Sequence, residues 1–292
     1  MKAIKLASVF AVSAVAAAVS TSTLAADAII TGEAGVEFVT IDDGVDELDG
    51  TDLGELELHV DTGIVYAELE FKTTGDDEGV TTGLEKLYVK QGAVSFGRFD
   101  GSVSTGSFMG MDEIYSGVDL VTSTDNDTDN TGIRYKATPE LTFAVEATSA
   151  TDTEDSDIGF ALSYVADLGG FKAGVSGGSV GDANAVNVGL QTQAGPATLS
   201  LNYGSGAKGA TGDTDVEQMT ASIAFAATDA LTLTLEYSQD LETDGEPSAT
   251  YFVGEFVSGD LTYYVKNYAG DTSEATIDAG SERTIVGVKT FF

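Results

Sequence analysis

The chain contains no cysteine and no tryptophan, and only three prolines and one histidine. Without cysteine, no disulfide framework can hold an exported chain of this size together, so closed backbone hydrogen bonding and packing must supply its stability. The single histidine, His59, lies beside Glu57 and Asp61. No motif around it supports a Ser-His-Asp hydrolase or a related enzyme, so we expect no catalytic residue and no cofactor.

Basic residues are scarce. Lysine and arginine together number 13, against 48 aspartates and glutamates, and the formal net charge is −35. Such a surplus repels nucleic acid and bare anionic lipid, so contact with a lipopolysaccharide surface would need bridging divalent cations. The same surplus would favour cations in any aqueous lumen.

Long apolar runs are also missing beyond the N-terminus, so the sequence predicts no transmembrane helix. At the N-terminus, Lys2 and Lys5 precede an apolar stretch over residues 6–19, and a small-residue site follows at 23–25. These are the three parts of a secretory signal peptide. We therefore expect a signal peptide at 1–25 and one β-barrel domain at 26–292, unless the chain is a secreted soluble protein.

Abundant valine, threonine, tyrosine and phenylalanine, with 35 glycines, favour strands. Leu56, Leu58 and Val60 alternate strictly with charged residues, which is typical of a strand with one apolar and one polar face. Similar segments make about sixteen strands, an even number that lets the last strand pair with the first. They are expected at residues 30–41, 53–61, 64–72, 84–91, 93–99, 133–136, 141–146, 158–165, 171–176, 186–191, 197–203, 219–225, 231–237, 250–257, 261–265 and 283–292.

A soluble sandwich and a membrane barrel share this alternation, but in the barrel the apolar face meets lipid and the polar face lines water. Closed hairpin order gives every backbone group a partner, as a bilayer demands, so we expect an all-β transmembrane antiparallel barrel. In the fourth strand, either Lys86 and Tyr88 or Glu85 and Leu87 point inward. The polar face carries long charged groups: Glu33, Glu37, Glu57, Glu68, Glu70, Glu146, Glu236, Lys172, Lys266 and Lys289.

The long stretch at 101–129 interrupts this regular succession and is the third outer connection. We interpret it as a loop folded inward to narrow a pore, with Asp112, Glu113 and Asp119 setting what passes; the alternative is an exposed surface loop. Residues 125–130 begin like a calcium loop. The glycine and the terminal glutamate of that motif are replaced by Asn130 and Lys136, so we expect no dedicated metal site.

Two segments and the C-terminus resemble the Gram-negative general porins. The segment GLEKLYVKQGAVSFGRFDG at 83–101 is similar to that family's hairpin before its constriction loop. The segment NTGIRYKATPELTFAVEAT at 130–148 is similar to the next hairpin. The final residue, Phe292, resembles the signal that outer-membrane assembly machinery reads. The resemblance implies a homotrimer of 16-stranded barrels, each a diffusion channel with its third loop bent into the lumen.

The constriction departs from the family in two ways. Residues 108–113 stand where the family's loop carries a Pro-Glu-Phe-Gly-Gly-like segment, and the opposing basic cluster is thin. We expect Asp112, Glu113 and Asp119 to face a set of basic groups across the pore. That set consists of Lys86, Arg98, Arg134 and Lys136.

These observations predict an outer-membrane porin for passive diffusion of ions and small hydrophilic solutes, with a preference for cations. Two alternatives stay open. One is a substrate-specific channel for oligosaccharides or small organic solutes, for which Tyr66, Tyr264 and Tyr268 are candidate lumen aromatics. The other is a secreted adhesive or structural β-protein that never enters lipid.

Overall fold

The computed structural model describes residues 27–41, 47–49, 54–74, 79–106, 117–120, 129–147, 156–208, 214–270 and 282–292. The predicted signal peptide, residues 1–25, lies outside these ranges. No helix among the described residues is long and apolar enough to cross a bilayer. The described strands are β1 (Asp27–Ile41), β2 (Glu47–Asp49), β3 (Glu55–Asp61), β4 (Val65–Thr74), β5 (Gly79–Gln91), β6 (Val94–Asp100), β7 (Asp129–Lys136), β8 (Leu141–Ala147), β9 (Ile158–Asp167), β10 (Phe171–Val180), β11 (Ala183–Ala194), β12 (Ala197–Lys208), β13 (Thr214–Ala226), β14 (Leu231–Asp240), β15 (Ser248–Ser258), β16 (Leu261–Gly270) and β17 (Arg283–Phe291).

Sixteen of these strands form one closed antiparallel barrel, as predicted, in which each strand pairs with its neighbours in the chain. β1 closes the ring, pairing with β17 on one side and with β3 on the other. The short β2 was not predicted; it lies beside β1, with Glu37 opposite Asp49. Closure leaves the barrel without an open sheet edge, which a chain with no disulfide needs for stability.

The polarity of the barrel is inverted relative to a soluble protein. On β11, Ala185 and Asn187 are buried on the inner face, whereas Val186, Val188 and Leu190 are 58, 48 and 49 % exposed on the outer face. The same apolar outer face continues around the barrel. It includes Phe143, Phe160, Leu201, Ile223, Leu235, Phe256, Tyr263 and Val286. So large an apolar surface needs an apolar solvent.

A β-bulge in β5 explains why its alternation could not be interpreted from the sequence. Glu68 of β4 pairs with Lys86, but the next residue, Leu69, pairs with Leu84, so Glu85 is the extra residue. The bulge reverses the phase of alternation along the strand. Lys86 and Tyr88 therefore face the lumen, one of the two possibilities left open by the sequence.

The third loop folds into the lumen, as predicted. Its described parts are residues 101–106, which leave β6, and 117–120. Val118 and Leu120 are fully buried, in one cluster with small inward-facing residues of the barrel wall such as Ala144, Ala161 and Ala185. Because those wall side chains are small, the loop can approach the sheet closely on this side. The alternative of an exposed surface loop is thus wrong for the described parts of the loop.

Candidate functional site in the barrel lumen

Polar side chains of the barrel wall hold the third loop in place. Asn187 of β11 accepts a hydrogen bond from Val118 N–H and donates one to Val118 C=O, both at 2.7 Å. Asn202 of β12 donates to Gly106 C=O at 2.7 Å, and Ser176 of β10 donates to Thr105 C=O at 2.6 Å. The loop is therefore attached to three consecutive strands by hydrogen bonds to its backbone.

A buried carboxylate holds the start of the loop. Glu146 of β8 is 1 % exposed and accepts hydrogen bonds from the Ser102 hydroxyl at 2.5 Å and from Val103 N–H at 3.0 Å. The guanidinium of Arg134 donates to Gly101 C=O beside it. Glu146 was predicted to face inward, but no sequence pattern indicated that it binds the loop.

The predicted acidic groups of the loop are only partly within the described residues. Asp112 and Glu113 lie outside them. Asp119 accepts a hydrogen bond from Gly106 N–H at 2.9 Å, so it joins the two described parts of the loop.

Three of the four predicted basic residues come together. Lys86, Arg134 and Lys136 line one cavity of about 490 Å³, together with Asp100, Tyr88 and Phe99. We call this cavity the basic alcove. Arg98 is not among its lining residues: it lies opposite Leu87 and Thr131, out of phase with Phe99.

The basic groups of the alcove differ in their contacts. Lys86 Nζ lies 2.5 Å from Glu68 Oε1 and 3.5 Å from Asp100 Oδ2. The guanidinium carbon of Arg134 lies 4.1 Å from the centroid of the Phe99 ring. Lys136, at the end of β7, is exposed and makes no ion pair with a described residue. Lys86 therefore has carboxylate partners within the barrel wall.

The inner faces of β1, β3 and β4 carry a concentration of carboxylates that we call the acidic wall. Its members are Glu33, Glu37, Glu55, Glu57, Glu68 and Glu70. Carboxylate oxygens of Glu55, Glu57 and Glu70 lie within 4.8 Å of one another. Lysines lie at both edges of this wall, where Lys289 approaches Glu33 to 2.8 Å and Lys86 approaches Glu68 to 2.5 Å, whereas Lys72 approaches Glu55 only to 3.9 Å. Like charges this close give the wall a strongly negative local potential.

His59 lies within the acidic wall, with both ring nitrogens in contact with polar groups. Nε2 lies 2.8 Å from the Thr31 hydroxyl and 2.9 Å from Glu57, and Nδ1 lies 3.0 Å from the Tyr66 hydroxyl and 3.1 Å from Glu68. Because acceptors and hydroxyls surround the ring, His59 joins β1, β3 and β4 in one network. No serine nucleophile contacts it among the described residues.

Aromatic rings line the lumen in two groups. Tyr66, Tyr88 and Phe99 form a continuous stack, with centroid distances of 5.2 and 4.9 Å. The second group lies at the seam, the pairing of β1 with β17 that closes the ring. There the Tyr264 side chain passes over Gly287, and its hydroxyl donates to Glu37 at 2.6 Å. An alanine at 287 would place its Cβ 2.3 Å from that ring, so the glycine makes room for the contact.

Phe292 completes the closure of the ring. Its N–H and C=O exchange hydrogen bonds with Gly32, both at 3.0 Å, and its side chain is 56 % exposed. A terminal residue that is hydrogen-bonded at the seam while its ring stays exposed is sterically accessible to another protein.

No protein-family model matches the sequence, and a comparison with curated proteins finds no match. Solved structures do match. Vibrio cholerae OmpT, an outer membrane protein folded in vitro and in its trimer form, has a TM-score of 0.66 at 13 % identity, covering 92 % of this chain and 100 % of that one. Salmonella typhi OmpF in complex with daunomycin has a TM-score of 0.66 at 13 % sequence identity, and the match covers 91 % of this chain and 97 % of that one.

A triple mutant of the Rhodopseudomonas blastica porin gives a TM-score of 0.63 at 14 % identity, covering 91 % of this chain and all of the other. At such low identity these likenesses concern the fold. This chain therefore has the fold of the 16-stranded general porins.

Proposed function

We propose that this chain forms a water-filled channel across a Gram-negative outer membrane, through which ions and small hydrophilic solutes diffuse passively. The inverted polarity of the barrel carries the proposal. Its apolar outer face suits hydrocarbon, and its charged inner face needs water. This polarity also favours a membrane channel over a secreted structural β-protein.

We further propose that the channel prefers cations. Glu55, Glu57 and Glu70 lie together on the acidic wall; among the described residues, Lys72 lies 3.9 Å from Glu55 and the His59 ring lies 2.9 Å from Glu57. Rings of acidic side chains select cations in pores because they stabilise a dehydrating cation and repel anions. In the loop, Asp112, Glu113 and Asp119 add negative charge, whereas Lys86, Arg134 and Lys136 supply the limited basic charge of the constriction.

The assembly belongs to the same proposal. Residues 1–25 act as a signal peptide, Phe292 is read by the outer-membrane assembly machinery, and three copies associate as a homotrimer. The trimer form of the Vibrio cholerae protein with the same fold supports the last point. With so negative a chain, lipopolysaccharide would be bound through divalent cations.

A reversal potential in planar bilayers tests both the channel and its selectivity. With a tenfold KCl gradient and a dilute side near 0.1 M, the potential should have the sign of the potassium equilibrium potential. Its magnitude should stay below the ideal value of about 59 mV. A potential of the chloride sign would refute the preference for cations, and purified barrels that insert without conducting would refute the channel.

A triple variant locates the source of the preference. Glu55→Gln, Glu57→Gln and Glu70→Gln together should move the reversal potential toward zero. The matched control changes the same charge in the exposed turn after β14, with Glu242→Gln, Asp244→Asn and Glu246→Gln. If the control shifts the potential as much as the lumen triple, the acidic wall is not the selective element.

A further inference from the structure

The basic alcove combines a local excess of positive charge with a flat apolar surface. Lys86, Arg134 and Lys136 line it, and Asp100 is the carboxylate among its lining residues. In a chain of net charge −35, this is a local reversal of sign. A cavity of about 490 Å³ falls within the usual range for small-molecule sites.

The positive charges are unequally available. Lys86 is held between Glu68 and Asp100, so most of its charge is offset within the wall. The Arg134 guanidinium packs over the Phe99 ring and donates a hydrogen bond to Gly101 C=O, so its orientation is fixed. Lys136 is exposed and has no ion-pair partner among the described residues. Lys136 therefore offers an anion in the alcove the least offset charge, with Arg134 two residues before it on the same inward face of β7.

The apolar surface is a stack of rings. Tyr88 and Phe99 both line the alcove, and their rings lie 4.9 Å apart between centroids, continuing the stack that Tyr66 begins. Gly97 lies opposite Tyr88 in the register, where a Cβ would come within 2.7 Å of Tyr88 Cα and 3.0 Å of Tyr88 Cβ, so the glycine lets the two strands approach closely. The hydroxyls of Ser95, Thr142 and Ser163 add hydrogen-bonding groups to the lining.

We propose that the basic alcove is a binding site for small organic anions that carry one carboxylate on a flat ring. The carboxylate would bind Lys136 and Arg134, and the ring would pack against Tyr88 and Phe99. Asp100 and Glu68 disfavour a second negative charge on the ligand. The inference rests on the proposed channel and deepens it, since weak binding in the lumen lets a solute enter and leave.

Benzoate is a suitable probe, with acetate for the charge alone and benzamide for the ring alone. In single-channel recordings of the purified full-length protein, millimolar benzoate should interrupt the current, and the other two should not at the same concentration. Lys136→Gln should reduce the benzoate affinity about tenfold, the loss of one charge-assisted hydrogen bond. Tyr88→Leu should reduce it several-fold through the lost ring contact.

Lys172→Gln is the matched control. Like Lys136, Lys172 is an exposed lysine with an inward phase near a strand terminus, but it lies on β10, outside the alcove. It should leave the benzoate block unchanged. Equal effects of Lys136→Gln and Lys172→Gln would overturn the site, and so would an equal block by acetate.

Saturation-transfer NMR on the detergent-solubilised barrel keeps this inference separate from the channel itself. A barrel that conducts salt but transfers no saturation to benzoate overturns the alcove. A barrel that binds benzoate through Lys136 but conducts no salt supports the alcove and overturns the channel.

Discussion

Replacing Asn187 by alanine is expected to loosen the third loop without opening the barrel. The Asn187 side chain satisfies both backbone groups of Val118 and also donates to the Ser176 hydroxyl at 3.2 Å. Val118 is 0 % exposed, so its N–H and C=O would lose their partners in a site that water reaches poorly. The strand pairing of β11 does not depend on this side chain.

The cost follows from the two orphaned groups. A buried donor or acceptor left without a partner costs about 1–3 kcal/mol, so the two together would cost about 2–6 kcal/mol. Lumen water can enter as the loop shifts, which favours the lower end of that range. A loss of about 2 kcal/mol changes the ratio of docked to undocked loop by about 30-fold.

Single-channel recording is the assay. Asn187→Ala should give a larger or more variable open conductance. The temperature at which the protein unfolds, measured by the shift from the folded to the unfolded band on a gel, should stay near the wild-type value. Asn184→Ala is the control, since Asn184 lies on the same strand with its side chain exposed on the outer face. If Asn187→Ala conducts as steadily as Asn184→Ala, the loop is not held by these bonds or does not limit the pore.

Two further predictions concern the seam of the barrel. Tyr264→Phe removes the hydroxyl that donates to the buried Glu37, so the unfolding temperature in detergent should fall by an amount equivalent to about 1–3 kcal/mol, with conductance retained. Tyr263→Phe, on the exposed outer face, should leave it unchanged, and equal shifts in both variants would contradict the assigned role of the contact. Deleting Phe292 removes two hydrogen bonds to Gly32 and the proposed assembly signal, so the yield in the outer membrane should fall several-fold while refolding in detergent persists. A normal yield in cells from the deletion variant would argue against the signal.

The alternation of apolar and polar residues predicted the strands and their two faces, because period two in a strand maps directly onto two faces. The even number of strands in hairpin order then favoured a closed barrel over a sandwich. Leu56, Leu58 and Val60 show the alternation directly, opposite Glu55, Glu57 and His59. The alternation failed where the backbone departs from that period. The bulge at Glu85 adds one residue to β5, so no pattern of side chains around Lys86 could show which face was inward.

Contacts between distant residues could not be predicted in the same way. The register places Lys86 opposite Glu68, an ion-pair partner within the wall that the sequence did not indicate. The sequence placed Glu146 on the inner face without indicating that Ser102 and Val103 bind it, since these residues are more than forty positions away. Arg98 was included in the predicted basic set because its segment resembles the general porins. It lies on the opposite face of β6 from Phe99 and is therefore not part of the alcove.

The sequence alone determined the number of strands in the ring, the two faces of the regular strands, the long loop and the overall negative charge, because these depend on local periodicity and composition. The tertiary structure decided which charges meet. Ring closure brings Tyr264 to Glu37, and the inward loop brings Val118 to Asn187, across separations of 227 and 69 residues. Such contacts depend on strand register and on small wall residues such as Ala185. Both set the distances between residues far apart in the chain, which local sequence patterns do not reveal.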